Sequence, residues 1–326
     1  MNHRLLGRTG IRVSPLCFGA MSFGAEADEA TSADLYKTVR EAGINFIDCA
    51  DGYTKGAAET ILGNLMAHER DELVITTKVF SPMYAEPNAG GSSRRHILRA
   101  VEDSLKRLKT DRVEVLFLHH HDGSLPLEEK LRTMEDLVRS GKALHVGISN
   151  YAAWQIALGL GIQDRHGWSR TDVLQPMYSL VKRQVEVEIL PLAADQGLGV
   201  ITYSPIGAGL LSGKYRGQKA GQGQGGGRLG TNARYAKRYS LDTMQETADA
   251  FVDYADAKGI HPVTLAVAWA GSNPAITAPI IGARSVEQIQ PALAAAEFEM
   301  TPEMRAEITA LSPTPLPATD RIEEAG

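Results

Sequence analysis

The sequence predicts a single α/β domain, an eight-stranded parallel (β/α)8 TIM barrel spanning residues 1–326, and three observations carry that expectation. Short runs rich in Val, Ile and Leu recur along the chain and mostly lack polar alternation, as strands buried on both faces do. Segments with helical periodicity separate them, and alternation of this kind makes a parallel sheet. Eight such units suit a closed barrel, and no G-x-G-x-x-G follows the first run to favour an open, doubly wound sheet.

The elements follow in order. Arg4–Leu6 and Ile11–Val13 flank the turn Gly7-Arg8-Thr9-Gly10 and predict a small β-hairpin ahead of the barrel. The eight strands are expected near Pro15–Ala20, Ile44–Asp48, Leu73–Lys78, Val113–His119, Ala143–Ile148, Asp172–Gln175, Gly199–Tyr203 and Ile276–Ile281. Ser32–Ala42 is a helix behind a Thr-Ser cap signal and ends before Gly43. Ser93–Leu108 carries an apolar stripe at Ile97, Val101, Leu105 and Leu108. Pro126–Ser140 begins on Pro and stops at Gly141. Lys214–Tyr239, after the seventh strand, is rich in Gly, Gln, Arg and Lys around Gly225-Gly226-Gly227. It has little to bury and is expected to be a mobile loop over the mouth of the barrel.

Composition narrows the function classes. With 43% hydrophobic and 22% charged residues the chain matches an ordinary globular protein. A net charge of −5 gives no reason to expect nucleic acid or an anionic membrane as partner. Cys17 and Cys49 have no metal-type spacing, there is no secretory h-region at the N-terminus, and no run of 18 apolar residues occurs. The expectation is a cytoplasmic protein without a disulfide framework. A homo-oligomer is left open.

In a barrel of this kind chemistry takes place at the C-terminal ends of the strands. The second strand ends at Asp48, with Tyr53 in the following loop; the third ends at Lys78 and the fourth at His119. A lone charge on an apolar run is costly, so Lys78 needs a carboxylate partner. One such pair alone would be read as structural. Four ionisable groups on three successive strand ends suit proton transfer to a carbonyl oxygen: an ammonium beside a phenol lowers its pKa, Asp48 orients Lys78, and His119 donates a hydrogen bond. The other half of the mouth offers Ser149, Asn150 and Gln175 for a carboxamide, Tyr203 as a flat face for an aromatic ring, and Gly282-Ala283-Arg284-Ser285 at a helix start as an anion site. That half suits a nicotinamide dinucleotide.

Over about Leu6 to Leu311 the chain resembles the aldo-keto reductase superfamily. The matching segments are residues 46–53 (FIDCADGY), 75–78 (ITTK), 116–119 (LFLH), 146–150 (VGISN), 203–205 (YSP), 209–214 (GLLSGK) and 282–284 (GAR), in that order. The resemblance implies a catalytic tetrad of Asp48, Tyr53, Lys78 and His119. It implies NADPH as cofactor, with nicotinamide contacts from Ser149, Asn150, Gln175 and Tyr203, a 2′-phosphate contact from Arg284, and Gln288 near the adenosine. Ala20, Met21, Asp48, Ser204, Pro205, Gly209, Leu210, Gly213, Lys214, Gly282 and Ala283 complete the implied cofactor surface. The substrate is then a small-molecule carbonyl or alcohol, reduced or oxidised reversibly. The sequence departs from many relatives at His120, His121 and Ala292, and its tail after Leu311 is short and Pro-rich.

Three other readings stand beside this one. His119-His120-His121-Asp122 contains an H-x-H pair suited to a metal-dependent hydrolase, although the fifth, sixth and eighth strand ends add no ligand and His145 lies at the wrong end of its strand. No metal is therefore expected. Lys78 could serve a Schiff-base aldolase if burial lowered its pKa. A cofactor-binding regulatory module of the same fold, like the potassium-channel beta subunits, is the third.

Overall fold

The computed structural model describes residues 1–218 and 227–324. Among them the strands are β1 (Arg4–Leu5), β2 (Arg12–Val13), β3 (Cys17–Gly19), β4 (Phe46–Asp48), β5 (Val74–Val79), β6 (Val113–Leu118), β7 (Ala143–Ser149), β8 (Thr171–Gln175), β9 (Gly199–Thr202) and β10 (Ala278–Ile281). The helices are α1 (Glu29–Glu41), α2 (Ala57–Leu65), α3 (Arg94–Leu108), α4 (Leu127–Arg139), α5 (Ala153–His166), α6 (Ile189–Gln196), α7 (Arg228–Thr231), α8 (Ala233–Arg238), α9 (Asp242–Lys258), α10 (Pro262–Gly271), α11 (Val286–Leu293) and α12 (Pro302–Ala310). β3 to β10 pair in parallel and close into a barrel in the order β10-β3-β4-β5-β6-β7-β8-β9. The expected (β/α)8 architecture is borne out, as is the antiparallel hairpin β1–β2.

Two apolar layers hold the barrel. Cys17, Phe46, Val115, Phe117, Val173 and Ile201 belong to one buried cluster inside it. Their strand neighbours, among them Phe18, Ile47, Leu116 and Leu174, belong to a second cluster against the helices. This two-sided burial is why the strands read as apolar runs. The helical stripe of α3 is buried as expected at Ile97, Val101, Leu105 and Leu108. Ser93 caps that helix, accepting from the His96 N–H at 3.2 Å.

The hairpin plugs the floor of the barrel. Leu6 and Val13 are fully buried and join the inner cluster. Gly7 has φ +55°, and a Cβ there would lie 2.3 Å from the backbone nitrogen of Gly199, so the turn approaches β9 too closely for any side chain.

Helix α1 begins earlier than its sequence signal suggests. Its cap is Asp28, whose side chain accepts from the Thr31 N–H at 2.8 Å, and not the Thr31-Ser32 pair. A carboxylate at this position also meets the positive end of the helix dipole, so Asp28 outcompetes the later hydroxyls. The segment Lys214–Tyr239, expected to be a mobile loop with little to bury, holds α7 and α8 in its described part. Tyr215, Leu229 and Tyr239 bury against the core, which gives a Gly-rich stretch three apolar anchors. The glycines 225 and 226 at its centre lie outside the described residues. Among the described residues no helix is long and apolar enough to cross a membrane.

Candidate active site

Strand alternation builds the floor of the site. In β5, Val74, Thr76 and Lys78 share one face, two residues apart. Val74 belongs to the inner cluster, so Thr76 and Lys78 also face into the barrel. Asp48 pairs in register with Thr76 across β4–β5, which places its carboxylate beside the Lys78 ammonium. The Lys78 Nζ donates to Asp48 Oδ2 at 2.6 Å, to the Cys49 carbonyl at 2.7 Å and to Tyr53 Oη at 3.0 Å. Lys78 is 0% exposed and Asp48 2%. Asp48 Oδ1 accepts from Thr76 Oγ1 at 2.7 Å and from Gln175 Nε2 at 2.8 Å. Every donor on Lys78 and both oxygens of Asp48 are thus used, the condition under which a buried ion pair is tolerated.

Tyr53 is held by its loop. The backbone N–H groups of Cys49 and Asp51 donate to the carbonyls of Thr76 and Lys78, stitching the chain after β4 onto β5. Thr54 takes φ +49° and its Oγ1 donates to the Phe23 carbonyl at 2.6 Å. His119 follows β6, its ring centre 6.2 Å from that of Tyr53 in an edge-on arrangement. The four groups read from the sequence therefore converge on one mouth.

The electrostatics differ from the sequence expectation at one point. Burial raises the Tyr53 phenol more than the adjacent Lys78 ammonium lowers it, and the result is pushed up to about 12. Tyr53 is a firmly protonated acid. Burial works to lower Lys78, but the Asp48 carboxylate and Tyr53 outweigh it and the ammonium is raised above its usual range. A Schiff-base lysine requires the opposite shift, which counts against the aldolase reading. Burial, with the charge of Lys78 and the neighbouring His120 behind it, pulls His119 down to about 2. It is a neutral imidazole with one N–H, and its buried Nδ1 has no partner among the described residues.

Thr76, and the contacts that Gln175 and His120 make, escaped the sequence reading. Thr76 could have been found from the period-two alternation that links it to Lys78. Gln175 spans the barrel to Asp48, which no linear signal reports. His120 stacks on His119 with ring centres 4.4 Å apart, and Phe80 meets His120 edge-on at 5.2 Å. Among the described residues no group of three or more His, Cys, Asp or Glu side chains converges as a metal site. His145 bonds Asp172 at 2.6 Å near the beginnings of β7 and β8, away from the mouth.

The remaining predicted residues line the other half of the mouth. Ser149 Oγ donates to the Gln175 carbonyl at 2.8 Å. Asn150, at φ +61°, donates to the His119 carbonyl and to Ser149 Oγ, both at 2.9 Å, and accepts from Tyr203 Oη at 2.7 Å. Tyr203, Ser204 and Pro205 continue directly from β9. Gly209 and Leu210 lie in the turn after them, and Gly209, at φ +93°, takes the left-handed conformation that only glycine adopts without strain. Gly213, also at positive φ, closes the turn before Lys214. Ala20 and Met21 form a turn after β3, and Ser22 ties it to Ala283 through a 2.7 Å bond to the carbonyl. Gly282 to Arg284 lead into α11, whose N-cap Ser285 accepts from the Gln288 N–H, while Gln288 Oε1 accepts from the Arg284 N–H at 2.9 Å. Arg284 is exposed and has no acidic partner among the described residues. A hydrogen-bonded amide and hydroxyl cluster beside a tyrosine ring, with an unpaired guanidinium at a helix start, fits a nicotinamide dinucleotide.

Comparison with known proteins agrees with this geometry. The family model described as "Aldo/keto reductase family" matches residues 15–313. The chain is 36% identical to an uncharacterized oxidoreductase of Bacillus subtilis over 97% of each chain. It is 36% identical to a probable voltage-gated potassium channel subunit beta of Arabidopsis thaliana over 89% of each. It is 31% identical to versiconal hemiacetal acetate reductase of Aspergillus parasiticus over 93% of this chain and 94% of the relative. These relatives support an oxidoreductase, in a family that generally uses nicotinamide cofactors. A closed parallel barrel, a hydrogen-bonded Asp–Lys–Tyr cluster at its mouth and a family match over nearly the whole length establish that the chain belongs to the aldo/keto reductase family.

Proposed function

We propose that the chain is an NADPH-dependent reductase that converts an aldehyde or ketone to the alcohol, reversibly, with Tyr53 as the general acid and base. The observation that carries this reading is the single ammonium of Lys78, bound at once to Asp48 at 2.6 Å and to Tyr53 Oη at 3.0 Å in a dry setting. Ser149, Asn150 and Gln175 would hold the carboxamide and Tyr203 the ring face. Gly209, Leu210 and Lys214 would border the diphosphate, and Arg284 and Gln288 the 2′-phosphate and adenosine. NADPH, when bound, supplies the hydride.

The protein's own groups supply the proton. Tyr53 gives its Oη proton to the carbonyl oxygen as negative charge builds there. Lys78 stabilises the phenolate left behind, and the charge of Asp48 keeps Lys78 protonated throughout. His119, being neutral, donates an N–H to the same oxygen without adding charge. Donors fixed in advance in a water-poor setting need no reorganisation during the step.

A screen of aldehydes, ketones and sugars for NADPH oxidation tests the reading, with Tyr53→Phe as the decisive variant. General acid catalysis contributes typically 10²–10⁴-fold, so turnover should fall at least about 100-fold while NADPH affinity is kept. Near-normal turnover by Tyr53→Phe would remove Tyr53 from the role. The relatives named as potassium channel subunits favour a second reading, a cofactor-binding regulatory subunit. Tight NADPH binding without turnover of any carbonyl would support it.

A further inference from the structure

Residues 214–240 carry seven Lys or Arg and no Asp or Glu, in a chain whose net charge is −5. The described part of this stretch packs on the mouth. Tyr239, at the end of α8, is buried and donates to Met177 Sδ at 3.6 Å. Lys182, on the loop after β8, holds its Nζ 5.6 Å from the centre of the Tyr239 ring. Arg238 lies one residue earlier, its guanidinium 5.1 Å from the Tyr235 ring centre.

Lys182 also lines a cavity of about 210 Å³ shared with Asn150, Tyr203 and Met177. Asn150 and Tyr203 are the two residues that close the cofactor half of the site through their 2.7 Å bond. The charges of the insertion reach across the mouth as well. Burial first, then Arg234 and Arg238, holds the His120 imidazole below its ordinary value, and His120 stacks on His119. Burial and Arg238 likewise lower Lys182. Lys182 therefore lines the part of the mouth bounded by the ends of β8 and β9, and α8, which carries Arg234 and Arg238, ends there at Tyr239. Arg284 stands at the end of β10, on another part of the rim.

Among the described residues none of these three cations has a carboxylate within 4.0 Å. Nearby arginines are treated otherwise: Arg183 pairs with Glu186 and Arg216 with Asp253 and Asp256. Like charges gathered without counter-ions repel one another, and a low-dielectric cleft focuses their field outward toward an anion. The acid-free sequence of the insertion means that no carboxylate within it can supply the missing charge.

Building on the reductase reading above, we propose that the mouth selects carbonyl substrates bearing an anionic group, a carboxylate or a phosphate, remote from the carbonyl, with Lys182, Arg234 and Arg238 as its receptors. The anion anchors over β8 and β9 while the carbonyl reaches down to Tyr53 and His119. The three cations act on specificity and play no part in the proton transfer.

The test compares 4-carboxybenzaldehyde and 4-formylphenyl phosphate with the neutral methyl 4-formylbenzoate, all with NADPH. The readout is the ratio of kcat/KM for each anion to that for the ester. A charge-assisted contact corresponds to about one to two decades, so the ratio should be at least about 10 in the native protein and fall with added salt. It should drop toward 1 in Lys182→Ala, in Arg238→Ala and further in the pair, with the Kd for NADPH measured separately and unaltered. The two anionic probes tell a carboxylate preference from a phosphate preference. A ratio near 1 in the native protein, with all three aldehydes turned over, overturns the charge selection and leaves the reductase reading intact. A rise in NADPH Kd that parallels the lost ratio assigns the cations to the cofactor and overturns the proposal. Turnover of none of the aldehydes, anionic or neutral, while NADPH binds overturns the reductase reading itself.

Discussion

Replacing Asp48 by Asn tests the electrostatic centre of the site without changing its shape. Asp48 accepts hydrogen bonds from Lys78, Thr76 and Gln175, and Asn keeps one oxygen and a similar volume. What disappears is, among the described residues, the only carboxylate bonded to the Lys78 ammonium, which is 0% exposed. Removing one partner of a buried pair costs about 3–5 kcal/mol, because the remaining charge is left uncompensated. Against a total stability of about 5–15 kcal/mol that is a large loss which still leaves a folded protein measurable. The pH dependence makes the assignment specific. In the native protein the folded pKa of Lys78 is raised, so its stabilisation is fully present below the unfolded value and is lost as pH rises through the folded one. In Asp48→Asn burial goes unopposed by Asp48, the folded pKa drops below the unfolded value, and the sign reverses: the penalty is largest at low pH and shrinks as Lys78 loses its proton. Urea unfolding at pH 6, 7.5 and 9 (pH values chosen for the assay, on the scale of free-lysine pKa about 10.4) reads this directly. The gap between variant and native protein should narrow as pH rises. A loss below about 0.5 kcal/mol with no pH trend would show that the Cys49 carbonyl and Tyr53 suffice for the charge, and Asp48 would not be the counter-ion on which Lys78 depends.

Two further outcomes follow from the same geometry. Arg284→Ala should weaken NADPH by about one to two decades and leave NADH nearly unchanged, since a charge-assisted contact is worth about 1.5–3 kcal/mol; equal losses on fluorescence titration would take the 2′-phosphate away from Arg284. Asp51 is 0% exposed, and burial raises its carboxyl to about 6. Its folded pKa lies above the unfolded one, so its contribution is present at low pH and lost above about 6; Asp51→Asn should therefore gain stability at pH 8, on the order of 1–3 kcal/mol, and gain none at pH 4. Unfolding midpoints at the two pH values check it, and an equal effect at both would refute the shift.

The pattern of apolar runs and helical periods was sufficient for the barrel because strands covered on both faces leave a signal along the chain. Asp48, Lys78 and His119 were legible for a related reason: a polar residue at the end of a buried run is conspicuous, and strand ends share one side of a parallel barrel. Helix α1 shows the limit of local signals. Two competing cap sites, Asp28 and the Thr31-Ser32 pair, stand within one turn, and the choice depended on which side chain reached a free N–H. The Lys214–Tyr239 stretch shows another, since its composition says nothing of the core grooves that receive Tyr215, Leu229 and Tyr239.

The sequence by itself determined the fold, the family resemblance and which ionisable residues arrive at one mouth, because periodicity and strand order are properties of a line of residues. Only the tertiary structure decided the balance of charge there. Whether Tyr53 is lowered by Lys78 or raised by its surroundings depends on how much water is excluded, and burial prevailed. Only closure of the barrel set Gln175 against Asp48, 127 residues away in sequence, and only the packing of α8 brought Arg234 and Arg238 close enough to act on His120. These are competitions between desolvation and Coulomb attraction, and both terms depend on distances through space that the order of residues along the chain does not contain.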